Sequence, residues 1–329
     1  MSASSRPYDT GDMAERWFAR RTYHPDDFDV EDLRARKAAA GLRTSVVLPS
    51  RNEAATIAEV VASVTALRGT LIDEVVVIDA GSADGTRALA AAAGATAYDE
   101  REVFPELGPG LGKGDGMWRG LSVTSGDLVV FLDTDVRNPD PRWVWSLLGP
   151  LLLDPTTQLV KGFYGRPIEM AGVLHPQGGG RVTELCARPL LNVFWSELAE
   201  LVHPLAGELA ARRELLESIP FCANYGVEIG MLIDAAAAVG VEAIAQVDLG
   251  TRVHRNQPLE ALARMAFEIT QAATQRLIRS RRMTLADGAK FPERFVQFTR
   301  APDRSPVLVE HAVSVTERPP LRNLRGAGA

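Results

Sequence analysis

The chain has 329 residues, of which 46% are hydrophobic and 24% charged, and its formal net charge is −6. This composition is typical of a globular protein of about two domains, and the mild acidity argues against a nucleic-acid-binding protein. Two cysteines exclude a disulfide scaffold, and the chain shows neither a secretory signal at its start nor a run of about 18 apolar residues, so we expect a cytoplasmic protein.

The residue pattern divides the chain into four predicted parts. Residues 1–40 are polar and predict a helical extension. A regular α/β half covers 41–136, and a less regular mixed half covers 137–300. The proline-rich residues 301–329 predict a loosely ordered tail.

The half over 41–136 alternates short apolar strands with helices. Four strands are predicted over 44–49, 73–79, 95–98 and 127–133. Because each is apolar throughout, we predict an α/β fold with a mostly parallel sheet flanked by helices on both faces. Ligands of such sheets bind beyond the carboxyl ends of the strands, so the polar residues that follow the strands should meet at one edge. These residues are 49–53, 79–82 and 133–135.

In the second half, residues 159–164 and 243–248 predict two further strands, and Pro258 begins a long amphipathic helix. Packing and a solvated face are sufficient to explain Lys161 and the pair Trp143 and Trp145, which we therefore assign no chemical role.

A candidate cation site follows the fourth strand. Asp133 and Asp135 are one residue apart at the strand end, and carboxylate oxygens are the ligands that Mg²⁺ and Mn²⁺ prefer. His254, in a polar loop after a strand, can complete such a site. The alternatives are turn residues for the aspartates and a structural or exposed role for the histidine.

Two glycine-rich segments are candidate anion sites. Lys113 lies within Gly-Pro-Gly-Leu-Gly-Lys-Gly-Asp-Gly, where backbone and ammonium can approach a phosphate, although the spacing is not that of a P-loop. The segment 178–183 opens a helix with three glycines, Arg181 and Thr183. The alternatives are a flexible surface loop and a capped glycine linker. Two such sites suggest one substrate with a diphosphate and another with a phosphate.

Glu228 is embedded in the apolar run Asn-Tyr-Gly-Val-Glu-Ile-Gly-Met. A buried carboxylate is costly without a partner, so a cation or a substrate hydroxyl is expected beside it. The alternative is a glutamate on a helix surface.

Together these motifs resemble a glycosyltransferase of the GT-A fold. The resemblance rests on Val-Val-Leu-Pro-Ser-Arg-Asn-Glu, Val-Ile-Asp-Ala-Gly-Ser-Ala-Asp-Gly-Thr and Phe-Leu-Asp-Thr-Asp in the first half. The second half is similar to the glucosyl-3-phosphoglycerate synthase family of actinobacteria through Gly-Arg-Val-Thr-Glu-Leu, Ala-Asn-Tyr-Gly-Val-Glu-Ile-Gly and Arg-Val-His-Arg-Asn. The resemblance assigns nucleotide-sugar binding to 41–136, and acceptor binding and catalysis to 137–300.

The resemblance implies transfer of glucose from UDP-glucose to the 2-hydroxyl of 3-phosphoglycerate, with retention of configuration and a requirement for Mg²⁺ or Mn²⁺. It also implies a homodimer and the first step of methylglucose lipopolysaccharide synthesis. The implied donor residues are Pro49, Ser50, Arg51, Asn52, Glu53, Ser82, Lys113, Asp133, Thr134, Tyr225, Glu228 and Arg252. The implied acceptor residues are Gly180, Arg181, Val182, Thr183 and Asn256, the metal ligands are Asp135 and His254, and the catalytic residues are Glu228 and Asp135.

Three alternatives stay open. An NAD-dependent oxidoreductase would need Gly-x-Gly-x-x-Gly after the first strand, where Leu-Pro-Ser-Arg-Asn-Glu stands. A related transferase would use GDP-mannose or another acceptor, and a non-enzymatic protein would only bind a nucleotide sugar. For retention, we favour Glu228 as a residue that orients the sugar rather than as a nucleophile, because two-carboxylate retention needs a paired acid.

Overall fold

The structure, a computed structural model, describes residues 17–170, 173–175, 179–253, 257–313 and 316–325. Residues 17–21 are helical. The strands are β1 (Thr22–Tyr23), β2 (Thr44–Ser50), β3 (Glu74–Asp79), β4 (Thr96–Asp99), β5 (Leu128–Phe131), β6 (Leu159–Gly165), β7 (Ile168–Met170), β8 (Val173–His175), β9 (Leu209–Arg212), β10 (Phe221–Cys222), β11 (Ile244–Thr251), β12 (Arg294–Arg300), β13 (Pro306–Ala312) and β14 (Glu317–Arg318). The α-helices are α1 (Val30–Ala39), α2 (Ile57–Thr65), α3 (Thr86–Ala92), α4 (Lys113–Ser122), α5 (Arg142–Leu153), α6 (Arg188–Phe194), α7 (Arg213–Ser218), α8 (Val227–Val239), α9 (Leu259–Arg279) and α10 (Leu321–Arg325).

Eight strands form one central sheet in the order β1-β11-β6-β9-β5-β2-β3-β4. Seven of them run parallel, and β9 runs antiparallel to both of its neighbours, β5 and β6. The predicted α/β fold with a mostly parallel, helix-flanked sheet is therefore confirmed. The sheet contains strands from both predicted halves, so the boundary at residue 136 falls inside it and stays a prediction about the division of function.

Both faces of the sheet are buried, which explains why its strands are apolar at successive positions. Along β2, Val46 and Leu48 pack into one hydrophobic cluster, with α1, α2 and α5, while Val47 packs into the other, with α4, α8 and α9. Successive side chains of a strand point to opposite faces, so a strand covered on both sides needs apolar residues throughout.

The predicted loosely ordered tail over 301–329 contains two strands and a helix among its described residues. Strand β13 pairs with β12 over seven residue pairs as a hairpin, and β14 pairs with β10. The guanidinium of Arg318 forms two hydrogen bonds with the buried carboxylate of Asp115. Composition does not indicate these elements, because β13 depends on pairing with its neighbour β12, and β14 depends on contacts with residues about 100 to 200 positions away. In the described part of the chain, no helix combines the length and hydrophobicity that a transmembrane span requires.

Candidate active site

Three polar segments converge at the carboxyl edge of the sheet, as predicted. The hydroxyl of Thr134 donates to the carbonyl oxygen of Pro49 at 3.1 Å, which joins the ends of β5 and β2. The amide of Asn52 donates to the hydroxyl oxygen of Ser82 at 2.8 Å, which joins the ends of β2 and β3. Adjacent parallel strands bring their carboxyl ends together, and these contacts fix the loops that leave them.

A cleft of about 1070 Å³ opens at this edge. Most of the predicted donor and acceptor residues that the structure describes line it, namely Pro49, Ser50, Arg51, Glu53, Lys113, Asp133, Thr134, Tyr225, Glu228, Arg252, Gly180, Arg181, Val182 and Thr183. Asn52 and Ser82 instead hold two rim loops together. Asn52 has a left-handed backbone (φ 55°), and its side-chain oxygen accepts from the amide of Ala83 at 3.1 Å.

Lys113 bridges two carboxylates at the bottom of the cleft. Its ammonium lies 2.5 Å from Asp133 Oδ1 and 2.7 Å from Glu228 Oε1. Burial alone would lower the pKa of Lys113, but the two carboxylates outweigh burial and hold it well above its usual value. The partner expected beside the embedded Glu228 is therefore Lys113, and the lysine enters the cleft as a permanent cation.

Arg252 joins the two aspartates that follow β5. Its Nη2 lies 2.9 Å from Asp133 Oδ2 and 2.6 Å from Asp135 Oδ1. Burial would raise the pKa of Asp133, but Lys113 and Arg252 outweigh that effect and hold it below its usual value. Two cations and three carboxylates thus form one connected network across the cleft.

Two residues of this network were missed by the sequence analysis. Glu208 is fully buried beside the cleft, with Oε1 at 3.1 Å from Nη1 of Arg252. The hydroxyl of Tyr164 donates to Glu208 Oε2 at 2.8 Å and accepts from Arg252 Nη1 at 2.7 Å. Strand β9, which Glu208 precedes, was not predicted either. The only available signal was a lone acidic residue directly before an apolar Leu-Ala-Ala run.

Lys161 is a further residue whose role the sequence analysis missed, because packing and a solvated face are sufficient to explain it from the sequence alone. It is only 2% exposed, and its ammonium donates to the carbonyl oxygen of Ala206. Burial lowers its pKa to about 8, against the attraction of Glu228 and Glu208. A buried ammonium below this acidic cluster is an electrostatic component of the site rather than filler of the core.

The predicted anion site at the glycine segment forms a cationic corner of the same cleft. Gly180 has a left-handed backbone (φ 77°), and Arg181 Nη2 donates to the carbonyl oxygen of Gln257 at 2.9 Å. Arg166, which the sequence analysis also missed, lies beside them. Its backbone carbonyl oxygen accepts from the amide of Gly179 at 3.1 Å. The Arg166 guanidinium stacks 4.9 Å over the ring of Tyr164, and its buried Nε has no hydrogen-bond partner among the described residues. Two arginines that line the same corner of the cleft suit an anionic ligand.

Tyr225 also lines the cleft and is 44% exposed. Its amide donates to Glu268 Oε2 at 3.0 Å, which links the start of α8 to α9. An exposed aromatic ring next to Glu228 is a suitable surface for a sugar ring.

Of the two predicted metal ligands, the structure describes Asp135. His254, like Asn256, lies outside the described residues. The residue before it, Val253, donates its amide to Asn138 Oδ1 at 2.8 Å and accepts from the amide of Arg137 at 3.0 Å. The chain thus passes the loop that carries Asp135 immediately before position 254. Within the described ranges, no three His, Cys, Asp or Glu side chains gather into a metal cluster.

Comparison with known proteins finds relatives over nearly the whole chain. Residues 45–179 match the model of glycosyl transferase family 2. The glucosyl-3-phosphoglycerate synthase of Mycolicibacterium smegmatis is 43% identical over 313 residues, which cover 95% of this chain and 99% of that protein.

Two solved structures extend the comparison. The mannosyl-3-phosphoglycerate synthase from Rubrobacter xylanophilus has a TM-score of 0.87 and 43% identity, with 94% of this chain and 99% of that chain covered. The glucosyl-3-phosphoglycerate synthase from Mycobacterium tuberculosis, in complex with Mn²⁺, UDP-glucose and phosphoglyceric acid, has a TM-score of 0.78 and 42% identity, with 91% and 96% covered. The chain therefore belongs to the glucosyl-3-phosphoglycerate synthase family and is a glycosyltransferase.

Proposed function

We propose that this protein transfers glucose from UDP-glucose to the 2-hydroxyl of 3-phosphoglycerate, with retention of the anomeric configuration. The observation that carries the proposal is the meeting of two kinds of anion site in one cleft. Lys113 and Arg252 lie at the strand ends, where a diphosphate would bind, and Arg166 and Arg181 lie at the glycine corner, where a phosphorylated acid would bind. The relatives named above supply the identity of both substrates.

The reaction needs negative charge to be stabilised on the leaving group. The acceptor hydroxyl oxygen forms a bond to the anomeric carbon while the bond from that carbon to the diphosphate oxygen breaks. The electron pair leaves with UDP, and the hydroxyl proton passes to the departing phosphate. Lys113 and Arg252 are placed to balance the charge that develops, since fixed cations in a water-poor cleft stabilise it strongly.

The residues present fit a divalent cation. Asp135 is a carboxylate at a strand end with a side chain that is 35% exposed, and oxygen ligands of this kind suit Mg²⁺ or Mn²⁺. We propose that Asp135 and His254 would hold the cation. The cation would supply Lewis-acid stabilisation of the diphosphate.

Glu228 is proposed to orient the sugar. Its Oε1 is held at 2.7 Å from Lys113, and this ion pair weakens the carboxylate as a nucleophile while fixing it as a hydrogen-bond acceptor. Kinetics of Glu228→Gln and a mass-spectrometric search for a glucosyl adduct test this role. An adduct on Glu228 would show nucleophilic catalysis instead.

A second candidate differs only in the donor. The structure from Rubrobacter xylanophilus is named a mannosyl-3-phosphoglycerate synthase, and it matches this chain with a TM-score of 0.87. That observation favours a test of GDP-mannose beside UDP-glucose, because the fold of the cleft is shared by enzymes named for different sugars.

The deciding experiment measures nucleotide release from the purified full chain. UDP release from UDP-glucose is followed with and without 3-phosphoglycerate and with and without Mg²⁺, and the same four assays are run with GDP-mannose. Release that needs both UDP-glucose and the acceptor supports glucosyl transfer. Acceptor-dependent release of GDP from GDP-mannose, with no release of UDP from UDP-glucose, would establish the second candidate. Binding of a nucleotide sugar without release of its nucleotide would indicate a protein that only binds nucleotide sugars. Arg181→Ala should raise the acceptor KM, and an unchanged value would contradict the acceptor site.

We also propose that the protein is a cytoplasmic homodimer whose product enters methylglucose lipopolysaccharide synthesis. The support for a dimer is an exposed apolar face on the hairpin β12–β13, formed by Val296, Phe298 and Leu308. Both cysteines are free thiols, which agrees with a reducing compartment.

A further inference from the structure

Arg318 and Pro319 contact the helix that carries Lys113. Arg318 Nε and Nη2 lie 2.7 and 2.8 Å from the two carboxylate oxygens of Asp115, in the first turn of α4. The indole nitrogen of Trp118, one turn further along, donates to the carbonyl oxygen of Pro319 at 2.9 Å. A paired fork of this kind fixes the orientation of both groups as well as their separation.

Asp115 passes this constraint to the glycine-rich loop. Its Oδ2 accepts from the amide of Leu111 at 3.0 Å, so the oxygen that binds Arg318 Nη2 also binds the backbone two residues before Lys113. The amide of Asp115 donates to the carbonyl oxygen of Ala223 at 2.8 Å, which ties the same turn to the segment leading to Glu228. Asp115 itself is fully buried.

The loop is also held at Gly110, whose amide donates to the buried Glu100 Oε1 at 3.0 Å. Gly108, Gly110 and Gly112 leave it conformationally free, and Gly108 and Gly112 have φ values of 72° and 139° that favour glycine. Arg119 Nη2 binds the carbonyl oxygen of Gly108 at 3.0 Å at the far end of the loop. The end nearest to Lys113 is held through Asp115, whose carboxylate is shared by the two-point contact with Arg318 and a longer contact of 3.3 Å with Arg119 Nε.

We propose that Arg318 is a positioning residue for nucleotide binding. Through Asp115 it sets the conformation of the glycine-rich loop and the approach of Lys113 to the donor diphosphate. Arg318 does not line the cleft, so it acts without touching the substrate. The inference rests on the proposed function, in which Lys113 contacts the nucleotide.

The test compares two arginines of the same region in the full chain. Arg318→Met removes the guanidinium but keeps the aliphatic part of the side chain. Arg318→Lys keeps the positive charge but cannot form the two-point contact with Asp115. Arg279→Met is the matched control: it removes the ion pair to Glu317, the neighbour of Arg318 on β14, and has no contact with Asp115 in the described structure. The dissociation constant of UDP in the presence of Mn²⁺, both KM values and the melting temperature are measured for each, well below every melting temperature.

We expect Arg318→Met to weaken UDP binding and raise the donor KM by about tenfold or more, with the acceptor KM within twofold of wild type. Arg318→Lys should recover part of the loss, and Arg279→Met should leave both binding values within twofold. If Arg318→Met does not fold, the same comparison rests on Arg318→Lys. The inference would be overturned if Arg318→Met lowered the melting temperature but left UDP binding unchanged. It would also be overturned if Arg318→Met and Arg279→Met weakened UDP binding equally. If the wild-type chain bound neither UDP nor GDP, the proposed function would fail instead.

Discussion

Glu208 is a fully buried carboxylate whose partners are the guanidinium of Arg252 and the hydroxyl of Tyr164. A buried charge is retained only where a partner balances it, and removing one partner leaves the other uncompensated. Glu208 therefore fixes Nη1 of Arg252. This leaves Nη2 to serve Asp133 and Asp135 at the reacting edge.

The variant Glu208→Gln tests this arrangement. It keeps the size of the side chain but removes the charge, and we expect kcat/KM for the donor to fall by about 10- to 100-fold, the usual range for residues that orient a ligand-binding group. Glu242→Gln is the control, because Glu242 pairs with Arg20 on the surface, with side chains 57% and 60% exposed, and such pairs contribute at most about 1 kcal/mol. Steady-state kinetics give kcat/KM for the donor in both variants. Equal values for Glu208→Gln and Glu242→Gln would show that Glu208 has no part in the site.

Lys161 makes the stability of the protein depend on pH. Burial lowers its pKa from 10.5 to about 8, so between these values the unfolded chain binds more protons than the folded one. Stability that depends on this group therefore rises with pH across that window and is lowest below it, where the buried ammonium is charged. From pH 8 to pH 10.5, wild type should gain up to about 3 kcal/mol relative to Lys161→Met. Urea unfolding at several pH values measures the difference, and parallel pH profiles would exclude it.

Among the elements, those with local signals were predicted and those with long-range causes were not. Strands β2, β3 and β5 are unbroken apolar runs ended by polar turns, and the structure places them within a few residues of the prediction. Strand β9 was missed because Leu-Ala-Ala-Arg is short and has no local strand signal. It exists because the edges of β5 and β6 lie on either side of it and supply hydrogen bonds to both of its edges.

The site follows the same rule. Asp133, Lys113 and Glu228 lie in motifs that can be recognised from residue spacing and from the polarity of the neighbouring residues. They could therefore be selected from the sequence as candidate site residues. Glu208 and Arg318 lie in no motif: each acts through a contact with a residue far away in the chain. Their roles depend on which atoms the fold brings within hydrogen-bond distance, and one sequence alone does not contain that information.

At the scale of the whole molecule, a chain of net charge −6 collects its cations where two anionic substrates would bind. Six of them line the cleft, namely Arg51, Arg101, Lys113, Arg166, Arg181 and Arg252. Three of the carboxylates nearby are neutralised by direct ion pairs with two of these cations. Low-dielectric walls around such a cluster concentrate its field in the cleft, so the acidic surface elsewhere does not prevent anion binding.

The outward face of the hairpin β12–β13 is the structural basis for the proposed homodimer. The inward face packs on α9, where the rings of Phe295 and Phe267 lie 5.0 Å apart. On the outward face, Phe298 stands opposite Leu308 across the two strands, and the two side chains are 70% and 53% exposed. Adjacent large apolar groups left in water favour association, because burying them against a second copy removes apolar surface from water on both sides.

Light scattering after size-exclusion chromatography tests this face. Wild type should elute with about twice the monomer mass of 35.6 kDa. Phe298→Asp should shift toward the monomer, because a carboxylate at the centre of an apolar interface would be buried without a partner. The control is Leu89→Asp on α3, a residue that is 39% exposed and lies on another part of the surface. A dimer that persists in the Phe298 variant would place the interface elsewhere, and a wild-type monomer at micromolar concentration would contradict the homodimer itself.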